Sequence, residues 1–265
     1  MYDFAYQKPG SLADAVKLLA ADAEAKVLAG GQTFIPVLKQ RLNKPSAVVD
    51  LAGLGLSGIT VTANALTIGA TTTHATVARS AEVKKAIPGL ALLASWIGDN
   101  QVRHRGTIGG SLANNDPSAC YPAAALALGA TIKTNKRAIK ADDFFQGMFT
   151  TALEPDEIIT AVEFPLPVAK SAYEKFRQPA SRYALVGVFV AKGPEGVRVA
   201  VTGAGQGGVF RVPEMEAALA KNWSPEAVAG IKISPEGLNG DIHGSAAYRA
   251  HLISVMARRA VAAAG

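Results

Sequence analysis

The sequence predicts an α+β protein, and three observations support that class. Hydrophobic residues make up 49% of the 265 positions, which is enough for packed cores and excludes global disorder. The first part of the chain alternates helical and strand patterns, and the last hundred or so residues form a strand meander followed by helices. We therefore expect three segments: an α/β unit at 1–55, a second unit at 56–168 and an α+β domain at 169–265.

The N-terminal segment opens with a helix. Ser11 is the expected N-cap, Asp14 lies near the third helical position, and the helix extends to about Asp22. A helix at 33–42 then separates two predicted short strands, at 25–28 and 47–51.

The middle segment combines a hairpin, several helices and two later strands. Residues 101–116 show no clear period and are expected to be mostly irregular, and Pro165 and Pro167 are expected to form a linker. The predicted strands are 59–61, 65–68, 130–134 and 158–164, and the predicted helices are 73–79, 82–86, 90–97 and 117–128.

The C-terminal segment has a different pattern. Its predicted strands are 173–176, 184–191 and 197–201, and its predicted helices are 214–219, 225–229 and 246–263.

Composition excludes several classes of protein. A single cysteine excludes an internal disulfide and any Cys-ligated zinc or iron–sulfur site. No apolar run is long enough for a transmembrane helix, and the N-terminus lacks the pattern of a signal peptide. We therefore expect a cytoplasmic protein.

The net charge of +6 comes from 27 basic and 21 acidic residues. This balance permits nucleic-acid binding, but the basic residues are scattered and do not alternate with aromatic ones. An anionic ligand or an acidic partner surface explains the charge equally well, and we do not expect a nucleic-acid partner.

The first candidate site is a paired-glycine segment between a predicted strand and a predicted helix. Paired glycines allow the backbone to approach a ligand and to point several N–H groups in one direction, which suits a pyrophosphate. A tight turn with no ligand is the alternative explanation. The candidate residues are Ala29, Gly30, Gly31, Gln32 and Thr33.

A second segment repeats this design about 80 residues later. It combines two glycines with hydroxyl groups and is followed by small polar residues, so two such segments could hold two sides of one phosphate-bearing cofactor. A solvated surface loop is the alternative. The candidate residues are Thr107, Ile108, Gly109, Gly110, Ser111, Asn115 and Asp116.

Two other patterns are weaker. Residues 203–208 match GxGxxG, but no helix follows at once, so a turn between strands is expected instead of a dinucleotide site. His74, His243 and His251 form no catalytic or metal-binding pattern. We predict no catalytic residue and no metal ligand, and any reactive group would be a bound cofactor.

The two glycine segments resemble the FAD-binding medium subunit of the molybdenum hydroxylases, the superfamily of carbon monoxide dehydrogenase and xanthine dehydrogenase. The carbon monoxide dehydrogenase type is the most similar. Further similar segments are 68–74, 156–159, 177–187 and 238–243, so the resemblance covers nearly the whole chain.

The resemblance implies a two-subdomain FAD-binding fold of the PCMH (vanillyl-alcohol oxidase-like) type, followed by a C-terminal α+β domain. It implies that both glycine segments contact FAD, that Thr71 and Thr72 lie nearby, and that Tyr183 covers the isoalloxazine ring. Lys175 and Arg182 are weaker candidates near the flavin.

The chain departs from the family pattern at one position. Family members commonly have Asp-Pro-Ala-Ala-Asp after the second glycine segment, whereas this chain has Asp116-Pro-Ser-Ala-Cys120. Because a thiol is a poor substitute for an aspartate that accepts hydrogen bonds, we expect weaker or altered FAD binding, with Asp116 or Asn115 compensating.

The family implies an electron-transfer subunit. It would take electrons from [2Fe–2S] clusters on a small subunit, which receives them from a large Mo-pterin subunit, and pass them to an external acceptor. The expected assembly is a heterotrimer or a dimer of heterotrimers. A stand-alone FAD-dependent oxidase or reductase is one alternative, and a non-catalytic anion- or nucleic-acid-binding module is another.

Overall fold

The computed structural model describes residues 1–265, and its N-terminal part is a three-stranded parallel sheet with two helices. The sheet order is β1-β3-β2. Ser11 caps α1 as predicted, because its Oγ accepts a hydrogen bond from the Asp14 N–H at 3.1 Å. The elements are β1 (Ala5–Gln7), α1 (Leu12–Ala21), β2 (Lys26–Leu28), α2 (Phe34–Lys39) and β3 (Ala47–Asp50).

The middle part is an antiparallel sheet of order β4-β5-β10-β6-β7 with helices packed against it. Its strands are β4 (Ile59–Val61), β5 (Ala65–Gly69), β6 (Thr131–Thr134), β7 (Ala138–Lys140), β8 (Phe145–Gly147), β9 (Thr150–Thr151) and β10 (Ile159–Pro165), of which β8 and β9 form a separate hairpin. Its helices are α3 (His74–Arg79), α4 (Ala81–Ala86), α5 (Pro88–Ser95), α6 (Asn100–Arg103), α7 (Ile108–Asn114), α8 (Tyr121–Ala127) and α9 (Ala141–Phe144).

Residues 101–116 differ most from expectation, because they contain most of α6 and all of α7. Thr107 caps α7 by accepting the Gly110 N–H at 3.2 Å. Gly109 allows this helix to pack closely on Ala70, the residue that follows β5, since an added Cβ would lie 2.7 Å from the Ala70 Cβ. The helix predicted from Pro117 begins only at Tyr121.

The C-terminal part is an antiparallel sheet of order β11-β12-β13-β14 followed by three helices. The glycine-rich stretch at 203–208 joins β13 to β14, as the sequence predicted. The elements are β11 (Lys170–Arg177), β12 (Ala184–Gly193), β13 (Gly196–Thr202), β14 (Phe210–Arg211), α10 (Pro213–Lys221), α11 (Pro225–Ala229) and α12 (Ala246–Ala264).

Strand β12 joins the middle and C-terminal parts, because it is buried on both faces. Phe189 and Ala191 belong to the core of the middle part, whereas Val188 and Val190 pack in the core that includes α12. Alternate residues of a strand point to opposite faces, so one continuous apolar run serves both cores. The domain boundaries given above remain a prediction.

Candidate cofactor-binding site

A cleft of about 500 Å³ is lined by residues from all three parts of the chain, within 26–43, 74–120 and 175–183. Most of the predicted site residues lie on its wall: Ala29, Gly30, Gly31, Gln32, Thr33, Thr107, Gly110, Ser111, Asp116, Cys120 and Tyr183.

The first glycine segment presents free backbone donors to this cleft. It connects the end of β2 to the start of α2. The N–H groups of residues 30–33 have no acceptor within the protein, whereas the N–H groups of Ile35 and Val37 donate to Gly31 and Thr33, both at 3.1 Å. Successive free N–H groups in one short segment form an anion-binding concavity. Binding of a pyrophosphate at this segment remains a prediction.

Gly30 is also the point where the N-terminal part meets the middle part. A Cβ at Gly30 would lie 2.1 Å from the carbonyl oxygen of Arg105 and 2.7 Å from the Gly106 Cα. Gly31 has φ of 71°, in the left-handed region that favours glycine. Gly30 is therefore required because another stretch of backbone approaches it closely, and Gly31 is required because of its positive φ.

The second glycine segment works differently, because it lies in α7 and its N–H groups are already paired. The N–H of Ile108 donates to Thr72 at 3.2 Å, and that of Gly109 donates to Ala70 at 2.8 Å. This segment forms part of the cleft wall and presents the Ser111 hydroxyl there. Unlike residues 30–33, it has no run of free backbone N–H groups.

Five predicted site residues do not line the cleft. Thr72 is buried, with its hydroxyl hydrogen-bonded to the backbone N–H and carbonyl of Gly58, and Asn115 donates to the carbonyls of Gly147 and Thr150. Thr71 and Gly109 line an adjoining cavity of about 350 Å³, and Ile108 is fully buried. The contacts predicted for these residues remain predictions.

Tyr183, Cys120 and Lys175 come together where the C-terminal part reaches the cleft. Tyr183 is half exposed, and partial burial next to the Asp116 carboxylate raises the pKa of its hydroxyl. Lys175 is buried and donates to the Trp96 carbonyl at 2.9 Å.

His74 also lies on the wall, but its electrostatics do not indicate a general base. Burial, reinforced by the nearby Arg103 cation, lowers the pKa of His74 to about 4, so the imidazole is neutral at pH 7. No group of three or more His, Cys, Asp or Glu side chains is placed to hold a metal ion. His74 therefore does not supply a general base to the cleft.

Sequence reasoning missed several wall residues that only the fold brings to the cleft. Asn43 follows α2, whereas Ile97, Gly98 and Val102 come from the segment around α6. None of them has a local pattern that distinguishes it from an ordinary loop or core residue.

The residues on the wall fit FAD. Free N–H groups at residues 30–33 suit its pyrophosphate, close backbone approach at Gly30 shapes the site between two parts of the chain, and Tyr183 offers an aromatic face. This combination is that of a protein class that binds a phosphate-bearing aromatic cofactor.

Comparisons with known proteins identify the family. Residues 2–167 match the family described as "FAD binding domain in molybdopterin dehydrogenase". The chain is 38% identical to the nicotine 6-hydroxylase medium subunit of Paenarthrobacter nicotinovorans, over 98% of this chain and 96% of that protein. It is 34% identical to the carbon monoxide dehydrogenase medium chain of Afipia carboxidovorans, over 97% and 95%.

Solved structures agree with this result. Reconstituted CO dehydrogenase from Oligotropha carboxidovorans contains a chain that superposes with a TM-score of 0.90 at 32% identity, covering 99% of this chain and 97% of that one. A chain of quinoline 2-oxidoreductase from Pseudomonas putida 86 gives 0.88 at 30% identity, covering 99% and 96%.

The chain belongs to the family of FAD-binding domains of molybdopterin dehydrogenases. It is an oxidoreductase subunit of the medium, FAD-binding type found in carbon monoxide dehydrogenase and xanthine dehydrogenase, which confirms the resemblance, the fold and the cofactor predicted from the sequence. The stand-alone oxidase and the non-catalytic module are not favoured. None of its helices combines the length and the apolar character needed to span a bilayer.

Proposed function

We propose that this chain binds FAD in the cleft, receives electrons from [2Fe–2S] clusters on a small partner subunit and passes them to an external acceptor. The observation that carries this proposal is the set of free N–H groups at Gly30–Thr33 on the wall of a cleft that also contains Tyr183. Bound FAD supplies the redox chemistry, since it accepts electrons from the iron–sulfur relay and releases them again.

The residues of this chain bind and orient the cofactor. The N–H groups of residues 30–33 would hold the pyrophosphate, and Thr107, Ser111 and Asp116 line the same cleft. Tyr183, which lines the cleft together with Cys120 and Lys175, would offer its aromatic ring to the isoalloxazine. The adjoining 350 Å³ cavity shares Ala29 and Gly110 with the main cleft, and it gives the FAD room to extend beyond the cleft.

The remaining redox centres belong to partner subunits. A single cysteine cannot supply the set of thiolates that a [2Fe–2S] cluster needs, so in this proposal the clusters reside on the small subunit. The Mo-pterin resides on the large subunit. We infer a cytoplasmic heterotrimer that associates as a dimer of heterotrimers. The large subunit selects the substrate, so this chain does not define it.

Affinity purification of the tagged full-length chain from its native cells tests this proposal. We expect a complex of three different subunits that contains FAD, iron and molybdenum, measured by flavin absorbance and elemental analysis. Recovery of the chain alone with bound flavin would support the stand-alone oxidase instead. Recovery without flavin would support the non-catalytic module.

A further inference from the structure

Lys175 is a buried cation that has no carboxylate partner. Its Nζ donates to the carbonyl oxygens of Trp96 at 2.9 Å and Arg182 at 3.0 Å, and it lies 3.5 Å from the Cys120 Sγ. The ion pairs of the protein involve other residues, so no carboxylate oxygen lies within 4.0 Å of this ammonium.

The position of this charge is unusual on physical grounds. Burial of an ammonium without an anionic partner is costly, and two carbonyl dipoles compensate for only part of the lost hydration. An unneutralised charge in a low-dielectric region acts on neighbouring groups more strongly than one in water. Because Lys175 lines the cleft, a ligand in the cleft experiences this field.

Cys120 determines whether the charge is neutralised. It is buried at the start of α8 and lines the same cleft. Because its side chain lies beside the Lys175 ammonium, a carboxylate at this position would lie next to that charge. A thiol fills this position without adding a charge, whereas an aspartate would form a buried ion pair with Lys175.

On the basis of the proposed placement of FAD, we propose that Lys175 raises the reduction potential of the flavin and that Cys120 keeps the Lys175 charge uncompensated. Two-electron reduction with uptake of one proton from solvent adds one negative charge to the flavin ring. The electrons come from the partner subunit's iron–sulfur clusters and leave to the external acceptor. In this proposal the Lys175 ammonium acts on the flavin through its positive charge alone.

A redox titration of the assembled complex tests this inference. Flavin absorbance gives the potential, electron paramagnetic resonance of the iron–sulfur clusters provides an internal reference, and extracted FAD gives the occupancy. The variants are Cys120→Asp, which adds the missing carboxylate, Cys120→Ser, a neutral control of similar size, and Lys175→Met, which removes the charge.

We expect Cys120→Asp and Lys175→Met each to lower the two-electron equilibrium constant for flavin reduction at least tenfold, about 30 mV. Cys120→Ser should stay within about threefold of the parent. An unchanged or higher potential in Cys120→Asp overturns the inference. So does a higher potential in Cys120→Ser, because it would mean that the sulfur was already a compensating anion.

The design separates this inference from the function on which it depends. A parent complex without bound FAD contradicts the proposed function. A parent complex that binds FAD, with variants whose potentials do not move, contradicts only the role of Lys175. Lys175→Met provides an independent result should Cys120→Asp prevent assembly.

Discussion

Arg137 holds the enclosed carboxylate of Glu157 through two parallel hydrogen bonds, Nε to Oε1 and Nη2 to Oε2, both at 3.0 Å. Together with a bond from the Thr134 hydroxyl, this pair connects the β6–β7 turn to the segment before β10. The pairing with Arg137 overcomes the opposing effect of burial and lowers the pKa of Glu157 to about 2.

The first prediction concerns acid stability. Because the pKa of Glu157 is lower in the folded state than its ordinary value of 4.5, its contribution is fully present above about pH 4.5 and is lost as the pH falls towards 2. We expect Glu157→Gln to cost about 2 kcal/mol at pH 7, allowing for the partly exposed Arg137, and much less near pH 2.

Urea unfolding at a series of pH values measures this difference. The matched control is Glu154→Gln, whose half-exposed carboxylate pairs with Lys136, and we expect it to cost less than about 1 kcal/mol. Equal losses in the two variants at pH 7, or a loss in Glu157→Gln that does not shrink in acid, would contradict the assignment.

The second prediction concerns the close approach at Gly30. Gly30→Ala places a methyl group 2.1 Å from the Arg105 carbonyl oxygen, so the N-terminal part must move away from the middle part. We expect a destabilisation of about 1–3 kcal/mol and a loss of retained FAD. The measurements are the thermal midpoint of the complex and the FAD content after gel filtration.

Gly10→Ala is the control for this substitution, because no other atom lies within 4 Å of the added methyl group. We expect it to behave like the parent protein. FAD retention in Gly30→Ala that matches the Gly10→Ala control would show that the close approach at Gly30 does not shape the cofactor site.

The sequence predicts the first glycine segment better than the second, and the reason lies in tertiary packing. At Gly30 and Gly31, the strand and helix patterns on either side are strong enough to locate a turn. Gly109 and Gly110 have low helix propensity, so the sequence does not predict a helix there. Helix α7 nevertheless forms, because Gly109 packs closely on Ala70. That contact spans almost forty positions of sequence and has no local signature.

Similar reasons explain the other differences. The sequence pattern does not predict strand β1, because all three of its residues are exposed and no alternation of apolar residues marks it. The continuous apolar pattern of β12 predicts a strand, but the strand belongs to two cores only because α8 and α12 pack on its opposite faces. The Cys120–Lys175 contact likewise joins positions 55 residues apart.

The third prediction separates structure from binding at Asn115. This residue has φ of 43°, and its side-chain amide donates to the Gly147 carbonyl at 2.7 Å and to the Thr150 carbonyl at 2.9 Å. Asn115→Ala removes the hydrogen bonds and keeps a Cβ in the left-handed region, which alanine tolerates less well than asparagine. Asn115→Gly removes the same hydrogen bonds together with the Cβ, so the backbone conformation is no longer strained. We expect losses of about 1–2 kcal/mol for Gly and about 1 kcal/mol more for Ala.

Denaturant unfolding measures the two losses, and FAD titration tests the residue's role in binding. Because Asn115 does not line the cleft, a direct contact with FAD would have to come from a rearrangement of the β8–β9 hairpin. A stable Asn115→Gly protein with strongly weakened FAD binding would support the direct contact that the sequence predicted.

The last prediction concerns the proposed contact between the Tyr183 ring and the flavin. Its hydroxyl makes no hydrogen bond within the protein, so the ring alone is expected to matter. Tyr183→Ala should speed FAD dissociation roughly three- to tenfold through lost aromatic contact, whereas Tyr183→Phe should match the parent. Tyr248→Ala is the control, since Tyr248 is also partly exposed but packs on Phe176 away from the cleft. Recovery of flavin fluorescence on release gives the rates, and equal rates in Tyr183→Ala and Tyr248→Ala would remove Tyr183 from the flavin site.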